Sequence, residues 1–340
     1  FQAPMQAKVL EKIADKGRDG FYKGEVAEDM VSSLNAIGGS HSLEDFANVR
    51  CNYTTPISGK YGSIEMFEHP PNGQGATAIC INNILSHFDI SSMDAFGVQR
   101  THIEAEATKL AYDARNRFIA DKCSRIDHML SMETAKNLAS LIDTKSVLVN
   151  TKSITESVHK ETICLTIVDK DLMSVSLIYS VFHSFGSGFA SSKFGINFQN
   201  RGAGFTLEEN HPNEAGAKKR PMHTIIPGML KKNKKIIMPF CVMGGAYQAT
   251  GHSRFVSNFV DFKLHPQSSI DSPRSFADGN FLKIERGYKN NVCQGLTDLG
   301  HNLIVPDTPI GGAQAVYIDY KNGTLVGASD ARKDGASLGY

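Results

Sequence analysis

Apolar residues recur at helical spacing in the first half of the chain and at strand spacing in the second. Residues 5–16 place Val9, Leu10 and Ile13 on one helical face. Residues 25–36 repeat that spacing and stop at Gly38-Gly39, a C-terminal signal. Ser42 followed by Asp45 resembles a capping box, with Asp in place of Glu. Windows 75–87, 98–118 and 130–142 predict three more helices, the second long and amphipathic through Ile103, Ala107, Leu110 and Ala111. From 143 to 161 the chain is polar and aperiodic, with Lys145, Asn150, Thr151, Lys152, Ser153, Thr155, Glu156 and Ser157. Such a stretch reads as a flexible connector, a suitable place for backbone cleavage.

Beyond it, 163–168 and 175–180 read as strands joined at Lys170-Asp171-Leu172. Further strands are predicted at 194–198 and 236–240, and a helix at 250–262. Lys231, Lys232, Lys234 and Lys235 lie between Leu230 and Ile236, which reads as a solvated strand–turn–strand tip. Strands 316–320 and 324–328 flank Asn322-Gly323, the strongest short hairpin signal. Helices first and antiparallel strands afterwards predict an α+β fold with layered packing.

The 340 residues suffice for one large or two ordinary domains, and 41% hydrophobic against 21% charged residues supplies a core. A formal net charge of +1 gives no support to a nucleic-acid or membrane partner. No apolar run approaches the ~20 residues of a membrane span. The six cysteines (51, 80, 123, 164, 241, 293) form neither a ligand pair nor a small disulfide scaffold. Cys80, Cys164 and Cys241 lie in apolar runs and read as small buried hydrophobes. This favours a reducing, cytoplasmic compartment. The chain begins at Phe1, directly in helical sequence, so an N-terminal part carrying any signal peptide is expected to precede it. His183, His211, His252 and His301 are scattered, and neither a metal nor another cofactor is expected.

Candidate chemistry centres on Thr162, which opens a strand after the connector. A threonine hydroxyl is a weak nucleophile, but a free α-amine on the same residue titrates near ~8 and can serve as its base. Scission between Glu161 and Thr162 would create that amine. Ser180 ends the next strand, where its hydroxyl can approach that of Thr162. Phe185-Gly186-Ser187-Gly188 is a tight turn, and Gly244-Gly245 frees backbone N–H groups to approach a developing oxyanion. Each feature also has an ordinary reading: threonine is common at strand starts, and Gly-Ser-Gly and Gly-Gly usually mark bends. Neither glycine motif has the spacing of a phosphate loop.

Together with their order along the chain, these features resemble the γ-glutamyltransferase family of N-terminal-nucleophile hydrolases. The matching runs include Phe21-Tyr22-Lys23-Gly24, Glu44-Asp45, Pro56-Ile57-Ser58-Gly59, Pro70-Pro71, and Glu106 to Tyr112 with Arg115. They continue through Thr162-x-x-x-Thr166-x-Val168-Asp169, Phe185 to Gly188, Lys219-Arg220-Pro221, Gly244-Gly245, Ser272-Pro273-Arg274, Gly327-Ala328-Ser329-Asp330-x-Arg332 and Gly339-Tyr340. The resemblance implies a four-layer αββα sandwich and self-cleavage by attack of Thr162 on the Glu161 carbonyl. Residues 1–161 would be the C-terminal part of a large subunit, and 162–340 the small subunit, forming one structural domain. The family's first segment, which carries a carboxylate-gripping arginine, is lacking. Ser180 falls where the family holds a second hydroxyl against the nucleophile, and Gly244 and Gly245 fall on its oxyanion hole.

The departures bear on substrate. An asparagine that helps hold the glutamate amino group is replaced by Phe182. A glutamine and an α-amino-binding aspartate are replaced by Arg201 and Gly204, and two carboxylate-binding serines by His223 and Thr224. The lid segment between Phe205 and Lys219 is short. Arg201 disfavours an ammonium and favours a carboxylate. Its ordinary reading is a structural ion pair, and that of His223 a satisfied core histidine. The runs Gln199 to Phe205, Pro221 to Met229 and Met243 to Gln248 are more like the oxamate amidohydrolase and acylase-like branch. The expected partner is therefore a small amide bearing a carboxylate, with Arg201, His223, Thr224 and Phe182 lining its site; a homo-oligomer is compatible with this. The alternatives are γ-glutamyl hydrolysis or transfer on glutathione, a β-lactam side-chain acylase, and an inactive unprocessed fragment.

Overall fold

The computed structural model describes residues 2–123, 125–148 and 160–340, with side chains omitted at 160 and 161. The connector expected over 143–161 lies outside the described residues between 149 and 159. The described residues form two compact units.

The smaller unit gathers residues 2–54, 160–161 and 181–201. Its helices include Pro4–Lys16 and Gly24–Ala36, within a residue of the sequence expectation. The capping box at Ser42 is complete: the Asp45 amide donates to Ser42 Oγ at 3.2 Å, and the Ser42 amide donates to Asp45 Oδ2 at 2.8 Å. Val9, Val26, Met30 and Phe194 make the core of this unit. The strand expected at 194–198 does not form. Asp29 accepts hydrogen bonds from the Lys193 and Phe194 amides, and Gly195 turns through a positive φ of 66°. That turn sends Phe194 into the helical core instead of into a ladder.

Apart from the strand ends at 160–161 and 181–183, the larger unit holds the sheets. In chain order the strands are β1 (Ile57–Tyr61), β2 (Ile64–Glu68), β3 (Lys160–Val168), β4 (Ser174–His183), β5 (Gly228–Lys232) and β6 (Lys235–Met243). Then come β7 (Ser275–Asp278), β8 (Phe281–Ile284), β9 (Leu303–Ile304), β10 (Gly312–Asp319) and β11 (Thr324–Ser329). A six-stranded antiparallel sheet runs β1-β2-β5-β6-β10-β11. β3 and β4 pair as a separate hairpin, and β7-β8-β9 form a third sheet. The lysine run sits at the β5–β6 tip, where Asn233 and Lys234 both have positive φ, as a right-twisted two-residue hairpin requires.

Strand β6 is buried on both faces, and its alternation assigns the layers. Phe240 and Val242 join the main core with helices Gly75–Leu85 and Gln248–Val260. Cys241 and Met243 point the other way and pack with Cys164 and Ile178 of the hairpin. Every residue of Gly75–Leu85 is buried, so its apolar run is that of an internal helix. The long helix Val98–Phe118 matches its predicted bounds. The window 130–142 instead splits into Ile126–Leu130 and Met132–Ala139, because Ser131 caps the second helix by accepting from the Thr134 amide at 3.1 Å.

The outer face of the β3–β4 hairpin is apolar and open. Ile163, Leu165, Ile167, Val175, Leu177 and Tyr179 are each between 42% and 53% exposed. Cys164 and Cys241, expected as free thiols, form a disulfide with Cα atoms 6.2 Å apart. Their separation of 77 residues hid the pairing from any spacing rule. The expectation of a reducing compartment thereby loses its basis. Cys80 is buried and free, with burial pushing its thiol up to about 12. No described helix is long and apolar enough to cross a membrane.

The runs Ser272-Pro273-Arg274 and Asp330-x-Arg332 meet in a buried ion-pair network. Asp330, fully buried, accepts from Arg274 and Arg332 and from the Ala313 amide at 3.0 Å. Removing one partner of such a pair leaves an uncompensated buried charge. Asp330→Ala should therefore destabilise the fold by roughly 3–5 kcal/mol, read as a lower urea midpoint; a midpoint unchanged from the parent would contradict it.

Candidate functional site

The β3–β4 hairpin brings Thr162 and Ser180 together. Thr162 Oγ1 donates to Ser180 Oγ at 3.3 Å, across the mouth of the hairpin. Both side chains are half-buried, on the inner face that also carries Cys164 and Ile178. That face is fixed against β6 at successive points. Ser176 Oγ donates to the Phe240 carbonyl at 2.8 Å, Cys164 is bonded to Cys241, and Ile178 packs with Met243. Moving from Ser176 toward Ser180 thus follows β6 from Phe240 toward Met243. Thr162 and Ser180 lie at the end of β6 from which Gly244 and Gly245 emerge.

The backbone after β6 needs glycine. Gly244 has φ 125°, a conformation L side chains rarely adopt, and a Cβ there would come within 2.9 Å of Gly311 Cα. Gly245–Tyr247 then form a 3₁₀ turn leading into helix Gln248–Val260. The amides of this turn therefore lie at the positive end of a helix dipole.

Buried side chains grip the carbonyls of the same turn. Gln74 Nε2 donates to the Gly245 carbonyl at 3.1 Å and to the Thr224 carbonyl at 3.0 Å. Arg115 donates to Gln74 Oε1 at 2.9 Å, which fixes which end of the amide faces the loop. The Arg115 guanidinium also lies 4.4 Å from the centre of the Tyr112 ring, and the Tyr112 hydroxyl donates to the Ala246 carbonyl. Burial pushes the Tyr112 phenol up, so it remains a donor. With these two consecutive carbonyls held in the interior, the Gly245–Ala246 and Ala246–Tyr247 peptide planes are set. Sequence reasoning quoted Tyr112 and Arg115 within a matching run and did not single out Gln74. The contacts join residues 134 to 171 positions apart. The only local signal was a glutamine opening an otherwise apolar helix.

The remaining sequence-predicted residues fall into two groups. His223 and Thr224 belong to the larger unit. The His223 amide donates to the Asn72 carbonyl at 3.0 Å, its carbonyl accepts from the Gln74 amide at 3.1 Å, and its ring lies 5.6 Å from that of His69. Thr224 is buried, with its carbonyl held by Gln74. Phe182 and Arg201 belong to the smaller unit. The Arg201 guanidinium lies 5.3 Å from the centre of the Phe182 ring, and that ring stacks on His183 at 4.5 Å. Phe182 has φ 81°, a strained value for a bulky residue. Burial lowers Arg201 to about 10, and it stays charged at neutral pH. Among the described residues no carboxylate pairs with Arg201. Its Nη2 and the His183 Nε2 are both buried without a hydrogen-bond partner among them. The expected structural ion pair is thus absent there, and a cation with an open donor stands in its place. Glu161 lies within β3, its side chain outside the described residues.

Three comparisons with known proteins bear on this arrangement. A sequence profile described as Gamma-glutamyltranspeptidase matches residues 1–340. Glutathione hydrolase-like YwrD proenzyme of Bacillus subtilis is 31% identical over 98% of this chain and 65% of its own length. Oxamate amidohydrolase proenzyme of Klebsiella pneumoniae is 29% identical over all of this chain and 66% of its own. The chain thus spans just under two thirds of the length of these relatives. Among solved structures, the cephalosporin acylase from Bacillus halodurans superposes with a TM-score of 0.90 at 32% identity, covering all of this chain and 63% of that one. The chain belongs to the gamma-glutamyltranspeptidase family.

Proposed function

We propose that this chain is the part of a self-processing amidohydrolase that carries the nucleophile, with Thr162 as the attacking residue. The observation that carries the proposal is the Thr162–Ser180 hydroxyl contact at 3.3 Å, on a hairpin bonded to the strand that ends in Gly244-Gly245. In processing, the Thr162 hydroxyl adds to the Glu161 carbonyl, the acyl group shifts from nitrogen to oxygen, and water hydrolyses the ester. The products are a chain ending at Glu161 and one starting at Thr162 with a free α-amine. That amine then takes the hydroxyl proton as Thr162 attacks a substrate amide. The developing oxyanion is met by the Gly244 and Gly245 amides; the bond from the Tyr247 amide to the Gly244 carbonyl at 3.2 Å sets the Gly245 amide, and Gln74 and Tyr112 brace the two peptides that follow. The leaving amine takes the proton, and water or a second amine releases the acyl group. Ser180 fixes the hydroxyl rotamer. The proenzyme names of the relatives support the processing step.

The acyl donor is a small amide bearing a carboxylate, oxamate-like in class. Arg201 supports this: it is half-buried and charged, and its Nη2 has no hydrogen-bond partner among the described residues. A bidentate guanidinium–carboxylate contact suits that donor, and an ammonium in its place would be repelled. His223 and Thr224 are the further substrate-side residues. The second reading, γ-glutamyl hydrolysis or transfer, draws on the glutathione hydrolase names among relatives and stands against Phe182 and Arg201. For the fold, we infer the four-layer αββα sandwich. The helices, the six-stranded sheet and the β3–β4 hairpin account for three layers, and the open apolar face of the hairpin calls for a fourth.

Denaturing electrophoresis of the expressed protein tests processing. Two bands are expected, with the smaller starting at Thr162. Thr162→Ala should give one band and no turnover, whereas Thr162→Ser keeps hydroxyl and α-amine and should retain part of both. Turnover by Thr162→Ala would remove Thr162 as nucleophile. Oxamate, glutathione and a chromogenic γ-glutamyl anilide separate the substrate readings; fast anilide turnover would contradict the argument from Arg201. Gln74→Ala frees the Gly245 carbonyl and should lower kcat about 10- to 100-fold with KM little changed, as expected for a loosened oxyanion donor. A rise in KM at constant kcat would place Gln74 in substrate binding instead.

A further inference from the structure

Away from Thr162, the structure gathers three metal-ligating side chains that the sequence disperses. His102 and Glu106 stand one turn apart on helix Val98–Phe118, so both face the same side. His301 arrives from the loop after helix Asn290–Asp298. All three are buried, and one ligand atom from each lies within 4.8 Å of the others. The scatter of histidines along the sequence therefore misled for His301, whose partner His102 is 199 residues away.

The hydrogen bonds prescribe which atoms are on offer. His102 Nε2 lies 2.8 Å from the Asp143 carbonyl. A carbonyl only accepts, so Nε2 carries the hydrogen, and Nδ1 is the nitrogen left facing inward. That nitrogen lies 2.7 Å from His301 Nε2. That 2.7 Å contact is satisfied either by a hydrogen on His301 Nε2 or by a cation held between the two nitrogens. Glu106 supplies the charge. Its Oε2 accepts from the Leu148 amide and its Oε1 from Lys109 Nζ, each at 2.7 Å, which leaves a second lone pair on each oxygen. A backbone carbonyl orienting a ligand imidazole and an amide orienting a ligand carboxylate are the usual outer supports of a metal site.

We propose that His102, Glu106 and His301 bind one divalent transition-metal ion of the zinc class. Two imidazoles and one carboxylate match the donor set of such ions, with water as fourth ligand. Tetrahedral binding at ~2.0–2.1 Å asks the two histidine nitrogens to part by roughly 0.6–0.7 Å from their hydrogen-bonded distance. Lys109 is the competitor. Its ammonium occupies one side of Glu106, but its side chain is partly exposed and can swing outward. The ion would tie helix Val98–Phe118 to the 143–148 segment and to the loop at His301. The 143–148 segment leads directly into the connector that ends at Thr162. Its role is thus a clip on the chain entering the processing junction, away from the amide chemistry.

The test is zinc uptake by the chelator-stripped 340-residue chain, measured by competition with a chromogenic chelator and by elemental analysis. One equivalent per chain is expected, and cobalt(II) should give the visible absorption of a four-coordinate site. His301→Ala and His102→Ala should each weaken binding at least 10-fold, and Lys109→Gln should tighten it by removing the competing ammonium. Glu106→Gln, closest in shape to the parent, serves as the second ligand variant if a histidine variant fails to fold. No uptake by the parent chain at micromolar zinc would overturn the site. So would uptake that survives substitution of either histidine, or that Lys109→Gln leaves unchanged.

Discussion

The candidate site depends on how one turn of backbone is held. After β6 the turn's buried carbonyls must find partners inside, because a buried carbonyl without a donor costs about 1–3 kcal/mol. Gln74 and Tyr112 provide those donors to Gly245 and Ala246, and Arg115 keeps the Gln74 amide the right way round. Because these side chains come from two buried helical segments, the turn inherits the rigidity of the core. The glycines make the conformation accessible, and the buried donors make it the one adopted.

A second constraint, the docking of the β3–β4 hairpin on β6, gives the turn something to act on. Cys164–Cys241, Ser176 on the Phe240 carbonyl, and Ile178 against Met243 fix register and direction together. A slip of one residue along β3 would turn Thr162 to the solvent face and Ile163 inward. The Thr162–Ser180 contact and the sheet register are therefore one property of this hairpin. In the smaller unit Arg201, against Phe182, is a half-buried cation with no carboxylate on it among the described residues.

What the sequence made legible follows from range. Helix bounds at Pro4–Lys16, Gly24–Ala36 and Val98–Phe118 were readable because caps and 3.6-residue spacing are local. The β10–β11 hairpin and the lysine tip were readable for the same reason. β1, β2 and β7 to β9 were not, since these strands span only two to five residues each and rely on neighbours distant in sequence. Phe194 was misjudged because Asp29 caps the turn from another helix. Thr162 and Ser180 were found through strand spacing and family resemblance together. Gln74, the Cys164–Cys241 bond and the His102–His301 contact needed coordinates, because each joins residues with nothing local to announce them.

The central claim is that one threonine oxygen, freed by scission of its own peptide bond, forms the acyl-enzyme. Mass spectrometry of the processed protein after reaction with an amide-mimicking electrophile tests it most directly. The account predicts a smaller chain beginning at Thr162 and carrying the adduct on that residue. An unbroken chain (this segment alone is 37.1 kDa) or an adduct on any other side chain would contradict it.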